Sequence, residues 1–161
     1  GYLKWEKTYG DNGEDGFNMI ARSKDNNFIA VGYSESFFSK GMKDVLMVKI
    51  DSLGNKMWMN LYGGKSDDIA NSVFECKDSG FAIAGESTSF GSGKNDILIL
   101  KTNSNGVQKW KSTIGGKGVD IGRSIEELPK GGFILSGTST ISNLSFDSIL
   151  IKTDKKGKTS N

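Results

Sequence analysis

One stretch, G-N-K-M-W-M-N-L-Y-G-G-K-S-D-D-I-A-N-S-V-F-E-C-K-D-S-G-F-A-I-A-G over residues 54–85, constrains this chain more than any other because it recurs. Tryptophan stands at Trp5, Trp58 and Trp110, steps of 53 and 52 residues. Gly32, Gly85 and Gly137 keep those steps, as do Asp15, Asp68 and Asp120. Asp44, Asp96 and Asp147, then Lys49, Lys101 and Lys152, then Gly54, Gly106 and Gly157 follow the same register. A period near 50 residues belongs to propellers, solenoids or arrays, in which each unit buries its apolar face against the next.

Within a cycle the local pattern is that of strands. Residues 17–23, 28–34 and 44–50 are three of them, and the turn D-S-L-G-N leads into a fourth that carries Trp58. Asp, Asn and Gly suit such turns through local side-chain hydrogen bonds and tolerance of positive φ. Gly32, inside the second strand, marks a close backbone approach. The runs F-I-A-V-G, F-A-I-A-G, V-L-M-V-K-I and I-L-I-L-K are nearly continuous apolar stretches, expected of strands covered on both faces. With strands named a to d, residues 4–9 read as a lone d, 17–62 and 69–114 as two full sets, and 121–153 as an a-b-c set. No stretch keeps a helical period. The fold class expected is all-β, a propeller of four-stranded antiparallel blades.

Composition narrows the chemistry. There is no histidine, so the commonest general base and metal ligand is absent. The one cysteine, Cys76, lies in the apolar run V-F-E-C and reads as a small buried hydrophobe. Net charge is +2 with both signs scattered, which gives no footprint for nucleic acid. The local excess at Lys152, Lys155, Lys156 and Lys158 reads as a solvated tail. No apolar run approaches the roughly 20 residues needed to span a bilayer, so no membrane insertion is expected. K-S-D-D and G-S-G-K do not form a phosphate loop. Glu126 and Glu127 are adjacent on a strand and face opposite ways, a poor glycosidase pair.

The pattern W-x-x-x-Y-G-G-x-x-x-D-x-A, then D-x-G-F-x-I-A-G-x-S/T, then D-x-L-x-x-K-x-D/N-x-x-G-x-x-x-W resembles the bacterial β-propeller repeats of the seven-bladed type. The turns D-S-L-G-N-K-M-W and N-S-N-G-V-Q-K-W are also similar to the tryptophan-docking turns of quinoprotein propellers. The resemblance implies a secreted or cell-surface setting, and a start at Gly1 fits a mature secreted product or an excised segment. It also implies tryptophans packed between blades, at Trp5, Trp58 and Trp110. The cofactor equipment of quinoproteins is not matched, since no vicinal cysteine pair exists. No cofactor and no metal is therefore expected.

The acidic positions Asp15, Asp67, Asp68 and Asp120 are not clustered alike in the three copies, and calcium needs six to eight oxygen ligands. They are expected to cap loop N–H groups. The b–c loops vary while the strands repeat, so Phe37, Phe38, Met42, Phe90, Ile141, Leu144 and Phe146 are the candidate ligand-face residues. Two readings of them stand: a binding surface, or aromatics folded back on the blade edge. The function expected is a non-catalytic scaffold or binding module for protein or glycan. The alternatives are a glycan hydrolase or lyase with a site in the central channel, and a purely architectural segment. A homodimer is expected, closing a six-bladed ring by exchange of the strand at 4–9.

Overall fold

The computed structural model describes residues 1–36, 42–142 and 145–159. Within them lie three antiparallel, blade-like sheets and no helix, so the chain is all-β. The first sheet has the order β1 (Asp15–Arg22), β2 (Phe28–Ser34), β3 (Asp44–Ile50) and β4 (Lys56–Tyr62). The second repeats it with β5 (Asp68–Glu75), β6 (Phe81–Ser87), β7 (Asp96–Thr102) and β8 (Gln108–Ile114). The third has β9 (Asp120–Glu127), β10 (Phe133–Ser142) and β11 (Ser145–Thr153). The repetition extends to register: Ser34 faces Asp44, Ser87 faces Asp96, and Ser139 faces Asp147.

A bulge in the first strand of each sheet explains both a glycine and a contact between sheets. Pairing skips Asn18 in β1, Asn71 in β5 and Arg123 in β9. The unpaired residue bends the strand and re-aims its side chain. A Cβ on Gly85 would stand 1.9 Å from the Ile69 carbonyl oxygen, and one on Gly32 would stand 1.9 Å from that of Gly16. Only glycine leaves room for the bulged strand. The freed amides then reach forward: Asn18 Nδ2 donates to the Ala70 carbonyl at 2.9 Å, and Asn71 Nδ2 to that of Gly122 at 3.0 Å.

Two apolar layers glue the sheets together. Ile29, Val31, Val45 and Met47 of the first pack on Phe81, Ile83, Leu98 and Leu100 of the second. Ala82, Ala84, Ile97 and Ile99 on its other face meet Ile125, Phe133 and Leu135 of the third. Strands β3 and β7 are buried along their whole length. β11, the corresponding strand of the third sheet, is exposed through most of its length, with Leu150 at 77%.

Three expectations change. Residues 4–9 form no strand within this chain. A strand needs a hydrogen-bonded neighbour, and here the segment instead lies on the first sheet's c–d turn, where Tyr9 Oη donates to the Gly54 carbonyl at 2.7 Å. The b–c connection of the third sheet is not an open loop: β10 and β11 extend until Ser142 faces Ser145, which places residues 141 and 146 in strands. The β-branched run T-S-T-I favours that extension. The lysines at 155, 156 and 158 are solvent-exposed, as expected, but belong to an ordered turn. They sit on a c–d turn whose Asp154 Oδ1 accepts from the Lys156 and Lys158 N–H groups, both at 2.8 Å.

Candidate functional site

The strand ends define two faces, one carrying the b–c and d–a loops, the other the a–b and c–d turns. On the loop face the carboxylates accept from backbone and serine groups, while Asp15 Oδ1 and Asp68 Oδ1 are buried with no hydrogen-bond partner among the described residues. Asp68 accepts from Gly64 N at 2.8 Å, Asp120 from Gly116 N at 2.9 Å, and Asp96 from Ser92 N and Gly93 N at 3.0 Å each. Asp67 accepts from Lys43 N at 3.0 Å, and the Ser139 hydroxyl donates to Asp120. Burial pushes the Asp15 carboxyl up, but bonds from Ser34, Ser36 and Asp11 outweigh it and hold the group below the usual range. Asp44 and Asp68 crowd Gly63, where a Cβ would lie 1.9 Å and 2.9 Å from their oxygens. Asp96 and Asp120 crowd Gly115 in the same way. Among the described residues no group of three or more His, Cys, Asp or Glu side chains is placed to hold a metal ion.

Of the loop-face candidates the structure places three, each on a different sheet. Met42 and Phe146 are exposed at 64% and 61%. Phe90 is half-buried, with the Lys111 ammonium 3.0 Å from its ring centroid and Gly64 beneath it. Phe37, Phe38, Leu144 and the Ile141 side chain lie outside the described residues. Glu127 is bound on the other face, accepting from Lys77 N at 2.7 Å.

The turn face is more highly built. Each c–d turn closes on a side-chain oxygen and a left-handed glycine: Asp51 with Gly54, Asn103 with Gly106, Asp154 with Gly157. A tryptophan from the preceding unit lies on each of these glycines. Trp58 packs on Gly106 and edge-on to Phe81, with ring centroids 6.1 Å apart. Trp110 packs on Gly157 and edge-on to Phe133, at 5.8 Å. Trp5 lies on Gly54 but stays 45% exposed. The Tyr62 hydroxyl donates to the Gly106 carbonyl, as Tyr9 does to that of Gly54.

Beside Trp58 and Trp110 a strand lysine pairs with an aspartate of the a–b turn. Lys49 Nζ is 2.6 Å from Asp25, and Lys101 Nζ is 2.9 Å from Asp78, which Lys109 also reaches at 2.9 Å. The Lys49 hydrogen bond, with help from Ser23, holds the Asp25 carboxyl well below its ordinary range. Burial pushes Asp78 up, but Lys109, Lys101 and the Gly80 N–H outweigh it and hold Asp78 well below too. Folded pKa values depressed in this way contribute stability that is present above the unfolded value of about 3.9 and is lost as pH falls through the folded value. Asp25→Asn and Asp78→Asn are therefore expected to lower the melting midpoint at pH 7, with the difference from the parent chain shrinking toward pH 2. Thermal melts across that range check it, and a pH-independent difference would refute the coupling. Cys76 is buried nearby, and desolvation pushes its thiol up to about 11.

These Lys–Asp pairs were missed in the sequence, although the recurrence of Asp25 before Lys49 and Asp78 before Lys101 carries the signal. No protein-family model matches this chain, and no curated protein matches it either. The site is therefore read from its own geometry.

Proposed function

We propose that this chain is a propeller-forming scaffold, non-catalytic, whose loop face binds protein or glycan and whose ring is completed by a second copy. The carrying observation is that residues 4–9 already sit where a d strand would. Trp5 and Tyr9 touch Gly54 as Trp58 and Tyr62 touch Gly106. The matching vacancy is the uncovered length of β11. The outer face of the first sheet supports the same reading. It holds a cavity of about 350 Å³ walled by Trp5, Tyr9, Phe17, Met19, Ile20 and Val48. Phe17, Met19 and Ile20 are exposed there, whereas Ala70 and Val73 of the second sheet are buried by the sheet in front.

Propellers use roughly 4–8 blades, so three blades do not close and two copies give six. A twofold ring is also the commonest closed symmetry. Where the copies meet, Lys130 and Lys152 of one chain would face Lys4 and Arg22 of the other, so pairing is expected to tighten as salt rises. Light scattering tests the assembly: a stable monomer near 17.4 kDa overturns it. Deleting residues 1–9 should abolish the dimer, and an unchanged dimer would refute the strand exchange.

The loop-face carboxylates each accept hydrogen bonds from nearby loop groups, and no convergent acid–base pair is formed by them, which favours binding over turnover. A secreted or cell-surface setting belongs to the same proposal. A glycan array with a pull-down tests the binding role. Hydrolysis or cleavage of a bound glycan would establish the enzyme reading instead.

A further inference from the structure

The two sheet junctions are copies of one frame, so each is a control for the other. On the turn face of the first junction, Lys24 N donates to Glu75 at 2.6 Å and Lys24 Nζ to the Cys76 carbonyl at 2.7 Å. On that of the second, Lys77 N donates to Glu127 at 2.7 Å and Lys77 Nζ to the Pro129 carbonyl at 2.6 Å. The pair of buried Lys49 with exposed Asp25 in the first is matched by Lys101 with Asp78 in the second. Geometry is conserved between them, and charge is not.

At the second junction this frame encloses an open cavity of about 530 Å³. Its wall carries five lysines, Lys77, Lys101, Lys109, Lys130 and Lys155, against two carboxylates, Asp78 and Glu127. Asp78 is shared by Lys101 and Lys109, and Glu127 is taken by a backbone N–H. The corresponding positions of the first junction are balanced, with Lys24, Lys49 and Lys77 against Asp25, Glu75 and Asp78. Four replacements make the difference: Pro129, where the first junction has Lys77, removes one positive charge, and three others outweigh it. Lys109 stands where the first sheet has Met57, Lys130 where the second sheet has Asp78, and Lys155 where it has Ser104. The first junction forms without them, so the fold does not require this excess of positive charge.

We propose that this cavity binds an anionic carbohydrate, a sugar chain bearing sulfate or carboxylate groups. Ammonium groups donate and never accept, so the wall selects a ligand rich in anionic acceptor oxygens, as sulfate and carboxylate groups are. An acidic peptide such as poly-glutamate supplies carboxylates but no sugar ring for the apolar surface beside them. Trp110, half-buried in the same wall, offers an apolar surface to a sugar ring. The basic area is confined to one corner of a chain of net charge +2, which argues against an extended nucleic-acid track. Gly131 lets the Lys155 stem lie across the a–b turn, where a Cβ would meet its Cε at 2.5 Å, and this keeps Lys130 and Lys155 together. Every wall residue comes from one chain, on the face opposite the loops; Lys130 would also border the second copy in the proposed ring, whereas Lys155 belongs to the cavity alone in this reading.

The test is calorimetric titration of the full chain with heparin as the sulfated probe, uncharged dextran as blank, and poly-glutamate as the acidic-peptide probe. Heparin should bind and weaken steeply with salt, dextran should not bind, and poly-glutamate should bind at least about tenfold more weakly, a gap of about 1.4 kcal/mol. Lys130→Asp with Lys155→Ser installs the residues of the second sheet's own turns and should weaken heparin about tenfold or more. Lys155→Ser alone, on an exposed turn, should weaken it in the same direction and serves should the double variant fail to fold. Lys65→Asp with Lys117→Ser makes the same charge change on exposed residues of the loop face and should leave binding within about twofold. Equal losses in the two double variants would reduce the effect to net charge and overturn the site. Poly-glutamate binding as tightly as heparin would overturn the carbohydrate assignment.

Discussion

Gly85→Val is expected to abolish cooperative folding of the second sheet and to cost more than about 4 kcal/mol, at the severe end for a single substitution. A Cβ at this position meets the Ile69 carbonyl oxygen at 1.9 Å and the Ala70 Cα at 2.9 Å. Overpacking against side chains costs about 1–3 kcal/mol because rotamers can yield. Here the neighbour is backbone, and moving it undoes the bulge at Asn71. The bond from Asn71 to the Gly122 carbonyl is lost with the bulge, so the second and third sheets separate at one of their polar contacts. Total stability of a domain is only about 5–15 kcal/mol, so the variant should be largely unfolded or aggregated. Gly116→Ala is the control: a Cβ there meets nothing within 4 Å. Urea titrations followed by tryptophan fluorescence check both. A Gly85→Val midpoint equal to that of the parent would mean that the strand is not bulged.

Trp58→Ala and Trp110→Ala should each cost about 3 kcal/mol, the lower end for truncating a buried aromatic, because both indoles keep some solvent contact. Each loses its edge-on contact with Phe81 or Phe133 and uncovers the glycine turn of the next sheet. Trp5→Ala should cost less than about 1 kcal/mol in the monomer, since this indole is 45% exposed and lacks such a ring partner. The ranking is the test. Equal losses at all three positions would show that docking on the turn glycine alone, rather than the aromatic contact, carries the energy.

The repeat made the sheets legible before any coordinates. Period and alternation are local properties, and a strand's apolar run states how many of its faces will be covered. Gly32, Gly85 and Gly137 could even be read as close approaches, because glycine inside a strand has few other reasons to persist. The turn residues Asp51 and Asn103 were equally plain. What each unit does to its neighbour was not legible. The bulges at Asn18 and Asn71 depend on a partner strand whose register no single segment encodes, so the amides that link the sheets were invisible in sequence.

Charge shows the division most clearly. In the sequence, Lys152 to Lys158 are four lysines near the end of a chain, and a solvated tail is the natural reading. Lys130 lies more than twenty residues earlier and Lys109 further still. Folding stacks the third sheet's turns beside the end of β8, and side chains far apart in sequence come to line one cavity with Trp110. The sequence by itself determined the unit, its strands and its turns, because those follow from short-range periodicity and backbone preference. The tertiary structure alone decided which lysines share a wall, because that depends on how one sheet packs against the next.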